Sequence, residues 1–81
     1  MKLKEMVRLM QFRRYKDRFI AEYLQTKIRY EKLRNTLVRY DAGTLDILPN
    51  CEVRVLKEQL QAMDDYIYAL EVRAEQENIE L

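Results

Sequence analysis

Between Val53 and Ala74 the apolar side chains fall at alternating intervals of three and four: Val53, Leu56, Leu60, Met63, Ile67, Leu70, Ala74. A period of about 3.5 residues marks one face of a helix that packs on another helix. The same rhythm runs through Phe19, Tyr23, Thr26, Tyr30, Leu33, Leu37 and Tyr40. Residues 2–40 and 51–78 contain neither Gly nor Pro, and the segment DAGTLDILPN (41–50) holds the only one of each. Two such seams joined by one break predict an all-α antiparallel helical hairpin. The reading places all of 1–81 in a single domain: a helical extension over 1–18, the core of a long first helix over 19–40, a connection over 41–50 and a second helix over 51–78. Gly43 is expected to close the first helix in a left-handed conformation, and Pro49 to prevent its continuation. Asn50 is expected to cap the second helix through its side chain. Leu45, Ile47 and Leu48 are expected to fold back over the closed end of the hairpin. Tyr23, Tyr30 and Tyr40 are expected to pack in the seam.

Helix 1 carries more apolar surface than one partner helix covers. A second stripe, formed by Leu3, Met6, Met10, Ile20, Leu24 and Ile28, lies roughly 140° around the axis from the seam. If Leu37 pairs with Leu56, Phe19 comes near Ala74, and residues 1–14 project past their partner helix. That overhang either bends back as a separate short helix or packs on another copy of the chain. The second alternative is preferred, so the hairpins are expected to assemble into a homo-oligomeric helical bundle with this stripe as its interface.

Composition narrows the chemistry. The chain of 81 residues has no His, no Ser, and only one Cys and one Gly. Catalytic triads, glycine-rich phosphate loops and internal disulfides are therefore not available, and an enzyme, a metal site and a cofactor are not expected. Cys51, without a neighbouring base, is expected to be a packing residue near the helix start. Asp64 and Asp65, adjacent on a helix, point in different directions and make a poor pair for acid–base or metal work. A lone thiol and no secretion signal point to the cytoplasm.

Charge divides sharply along the chain. Residues 1–41 hold 12 Lys/Arg and 5 Asp/Glu, whereas residues 42–81 hold 3 and 9. Pairing of a basic helix with an acidic one accounts for much of this split. It does not account for residues 2–18, where seven basic side chains face only Glu5 and Asp17. Within that segment, RRYKDR (13–18) offers Arg13, Arg14 and Arg18 as forks for phosphate and Tyr15 as a stacking face. Lys27, Arg29, Lys32 and Arg34 repeat the mixture further along. An anion site competes here with a solvated basic face whose Arg stems lie along the helix. Binding to a membrane surface is disfavoured because the stripe on 1–14 is short and lacks Trp.

The stretch from Tyr30 to Leu81 resembles a family of small phage-encoded helical-hairpin proteins related to a crAss-like phage protein. The resemblance rests on AGTLD followed by PNC (42–51), the LKEQLQAM run (56–63) and the RAE-containing ending (70–81). It implies a helical-hairpin fold and a bacterial host cytoplasm, but no activity. By analogy with small phage oligomers that capture immune messengers, it favours a binding protein that sequesters a cyclic nucleotide or an ADP-ribose-type molecule. In that reading Arg13, Arg14 and Arg18 hold phosphates, Tyr15 stacks on a base, and Arg29 or Arg73 reaches in from a neighbouring chain. The alternatives are a nucleic-acid-binding accessory protein using the basic arm, disfavoured by the acidic second helix, and a purely structural or protein-inhibiting oligomer.

Overall fold

A computed structural model describes residues 2–81 and contains two helices, α1 (Leu3–Ala42) and α2 (Val53–Gln76), packed antiparallel on each other. The hairpin is a slender rod with principal extents of 61 × 21 × 18 Å. The long dimension is the length of α1, since 40 residues rise about 60 Å at 1.5 Å each. The heptad seams face each other. Phe19, Tyr23, Thr26, Leu37, Ile67, Leu70 and Ala74 are buried, and Tyr30, Leu33, Val53, Leu56, Leu60 and Met63 are half-buried. Most of the buried residues gather at the open end of the hairpin, where Phe19, Tyr23, Ile67, Leu70 and Ala74 form one cluster with Ile79.

Each helix ends in a capping turn. Gly43 sits at φ +76°, its N–H bonds to the carbonyl of Tyr40 at 3.0 Å, and the N–H of Thr44 reaches the carbonyl of Arg39 at 2.9 Å. This is a Schellman arrangement that satisfies two carbonyls left over at the helix end. No atom lies within 4 Å of a Cβ built on Gly43, so a side chain there meets no neighbour and strains only the backbone. Gly43→Ala is therefore expected to cost about 1 kcal/mol, seen as a lower urea midpoint at unchanged slope. The end of α2 repeats the device with Asn78, whose φ is +57°. There the Ile79 N–H bonds to the Ala74 carbonyl at 2.8 Å, and the Ile79 side chain, 5% exposed, closes the core.

Several local expectations are corrected. Asn50 does not cap α2; the N-cap is Glu52, which makes no side-chain capping bond. The helix starts where Val53 first enters the seam, so packing sets this boundary. Ile47 and Leu48 are each 79% exposed, because the connection runs off the end of the rod. Tyr40, one turn past the last paired layer, is exposed. Cys51 is also exposed, outside the helix that it was expected to help pack.

The overhang is helical. Residues 3–14 continue α1 without a break, and all of them are exposed. Glu5 accepts a 3.2 Å bond from the Lys2 N–H, and its charge at the first turn suits the helix dipole. Neither helix is long and apolar enough to cross a membrane.

Candidate anion-binding site

The tyrosines bridge the two helices through carboxylates. At the open end, the Tyr15 hydroxyl donates to Glu77 Oε1 at 2.5 Å and accepts from Arg73 Nη2 at 2.8 Å. Arg73 also reaches Glu77 Oε2 at 3.4 Å and lies 4.9 Å over the Phe19 ring. Tyr15 is tilted against Phe19 at 6.2 Å between ring centres. The hydrogen bond from Arg73 to the Tyr15 hydroxyl is the main influence raising the guanidinium pKa, so its charge is secure. About two turns further in, the Tyr23 hydroxyl donates to Glu71 at 3.1 Å and accepts from Lys27 at 3.2 Å. The Lys27 ammonium sits 5.5 Å from the Tyr23 ring centre, and its pKa is raised chiefly by the bond to Tyr23. On the other side, the Tyr66 hydroxyl donates to Glu22 at 3.3 Å. Partial desolvation and then the Glu22 charge raise the Tyr66 pKa, so it stays neutral well past physiological pH.

These bridges occupy Glu71 of α2 and Glu77 just after it, two of the carboxylates at the open end of the hairpin. The expected pairing of a basic α1 with an acidic α2 is correspondingly thin. Among the described residues, the one ion pair between the helices has the opposite sense, with Lys57 of α2 on Asp41 of α1 at 3.1 Å. The other pairs lie within or beside α2: Arg54 with Glu52 and Glu58, and Arg73 with Glu77. Among the described residues, no Lys or Arg of α1 forms an ion pair.

The six sequence-selected ligand residues fall into three places. Arg13, Arg14 and Arg18 are exposed on the overhang and the turn after it. Tyr15 and Arg73 meet within one chain. Arg29 lies apart, in a shallow groove with Lys32, Leu33, Thr36, Leu56, Gln59 and Met63. That groove has an apolar floor and a cationic rim. A second depression, lined by Tyr23, Glu71, Ala74, Glu75, Ile79, Glu80 and Leu81, is acidic and unsuited to an anion. Among the described residues, no three His, Cys, Asp or Glu side chains converge as a metal ion requires. Sequence reasoning missed Glu77 and Phe19 as the partners that hold Arg73 and Tyr15. The available signal was spacing: Phe19 lies one helical turn from Tyr15, and Glu77 one turn from Arg73.

A two-helix hairpin with exposed arginines on α1 and one cation-rimmed groove defines the class as a small all-α hairpin protein. Residues 13–76 match the model of the family called Sequestin, and the chain belongs to that family. Its name speaks of holding a ligand, not of transforming one. The matched span includes Arg13, Arg14, Tyr15, Arg18, Arg29 and Arg73. No curated protein and no solved structure matches the chain.

Proposed function

We propose that the protein is a phage-encoded, non-enzymatic binding protein that antagonises bacterial immunity in the host cytoplasm by sequestering an anionic, nucleotide-type signal. The observation that carries this reading is the basic face of α1: among the described residues Arg13, Arg14 and Arg18 form no ion pair, while Glu71 and Glu77 bond to tyrosines. Guanidinium groups held on a continuous helix present a fixed array of donors to phosphate. Tyr15, half-buried and anchored by Glu77 and Arg73, offers a ring whose position is already set. A sequestering protein needs affinity without turnover, which suits a chain lacking His and Ser. The ligand class is a cyclic nucleotide or an ADP-ribose-type molecule, and the pockets lie between chains of a homo-oligomer.

Calorimetric titration with cyclic di- and trinucleotides and ADP-ribose derivatives tests the proposal. Binding of at least one of them at micromolar concentration or tighter is expected. Arg14→Glu combined with Arg18→Glu is expected to weaken that binding at least ~100-fold, because each charged hydrogen bond is worth about 1.5–3 kcal/mol. Absence of heat with the whole panel overturns the nucleotide reading. A gel shift with duplex or single-stranded nucleic acid that fades steeply with salt favours backbone binding instead.

A further inference from the structure

The face of α1 turned away from α2 has a symmetry of its own. It carries Leu3, Met6, Met10, Leu24 and Ile28, all exposed, with Ile20 at its edge, half-buried against the core. Because α1 runs unbroken from Leu3 to Ala42, the six lie on a single rod. Two charges, Arg13 and Asp17, interrupt the row one turn apart. The row then reads nearly the same in both directions from a midpoint beside Tyr15.

We propose that this face pairs with the same face of a second copy, the two α1 helices lying antiparallel across a two-fold axis at that midpoint. The residues dictate the register. Leu3 meets the partner's Ile28, Met6 meets the partner's Leu24, and Met10 meets the partner's Ile20. Arg13 meets the partner's Asp17, and each contact occurs twice. The charge pair sets the orientation. A parallel dimer places Arg13 on Arg13 and Asp17 on Asp17, whereas the antiparallel one places opposite charges together. A shift of one turn sets a charge against an apolar side chain, so the interruption also fixes the register, as polar residues in helical seams do. Within the chain, neither Arg13 nor Asp17 has an ion pair among the described residues.

The two-fold axis stands perpendicular to the plane of the paired helices, so the same flank of each α1 emerges on one side of the dimer. Arg14 and Arg18 share one flank, since at 100° per residue they lie about 40° apart around the axis. Two copies therefore gather four guanidinium groups on one side of the dyad, across a helix spacing of about 8–10 Å; Arg13, paired across the interface, leaves the phosphate contacts to Arg14 and Arg18. A single chain offers only half of that array. This consequence rests on the sequestering reading; the interface does not.

The experiment uses a Cys51→Ala background in the absence of nucleotide. Sedimentation is expected to give twice the 9.9 kDa chain mass. Arg13→Asp and Asp17→Arg are each expected to reduce self-association, and an equimolar mixture of the two to restore it, because only the mixed dimer pairs every charge. Oxidation of Met10→Cys mixed with Ile20→Cys is expected to cross-link the two variants to each other. Neither is expected to cross-link alone, as like positions are about 15 Å apart along the axis. A larger assembly that keeps the Met10–Ile20 cross-link supports the interface. A mass of one chain at high micromolar concentration overturns it, as do cross-links between like positions. A dimer that forms as described but gives no heat with any nucleotide leaves the interface standing and removes the sequestering reading.

Discussion

Leu70→Ala is expected to remove most of the stability of the hairpin. Leu70 is 2% exposed and sits in the cluster of Phe19, Tyr23, Ile67, Ala74 and Ile79. Truncating a buried Leu to Ala costs about 2–5 kcal/mol, through lost burial and the cavity left behind. A chain of 81 residues has on the order of 4–12 kcal/mol to lose. The same change at Leu56, half-buried near the closed end, is expected to cost about 1 kcal/mol, since neighbours and solvent fill much of the space. Urea titrations followed by far-ultraviolet circular dichroism compare the two. Equal losses at Leu56 and Leu70 contradict a core concentrated at the open end.

That concentration marks the boundary of what the chain's pattern reveals. The heptads of Phe19–Leu37 and Val53–Ala74 identify which residues face inward, because a period of 3.5 leaves little freedom in how two helices meet. Gly43 was legible for the same kind of reason: the only Gly follows the last seam layer, and a left-handed cap needs little else. The start of α2 was not, because Asn50 is a good cap in isolation but lies too far ahead of Val53, where packing begins. Ile79 was missed because it follows the helix. Its burial depends on Asn78 turning left-handed, which Asn tolerates but does not announce. The candidate ligand residues were legible as types only. Arg29 or Arg73 was expected to reach in from a neighbouring chain; within one chain the antiparallel register sets Arg73 beside Tyr15, a contact that spacing along one helix does not reveal. The split of charge between the halves was plain in composition. That Glu71 and Glu77 would bond to tyrosine hydroxyls and not to α1 cations is geometry that no count of charges carries.

The outward stripe carries the largest effect on assembly. Leu24→Glu combined with Ile28→Glu is expected to convert the wild-type assembly to single chains of 9.9 kDa. Both side chains are more than half exposed in the hairpin, 51% and 54%, so the core of Phe19, Leu70 and Ile79 does not depend on them. Covering the six apolar side chains of the stripe is worth on the order of 10 kcal/mol at about 1.5–3 kcal/mol each. Association costs of similar size leave a modest net affinity. Two carboxylates per chain, placed where apolar side chains are to be covered, remove that margin. The overhang then loses its only cover. An uncovered extension of about twelve residues grows from the packed part of α1 without a new nucleus, but without tertiary packing it frays from its free end. Helicity is therefore expected to fall by up to roughly a fifth, the share of residues 3–14 in helices of 40 and 24 residues. The urea midpoint of the remaining hairpin is expected to move little. A double variant that sediments like the wild type contradicts the interface. One that loses the whole helical signal shows instead that the two helices cannot stand without their neighbours, which places the stability of the fold in the assembly.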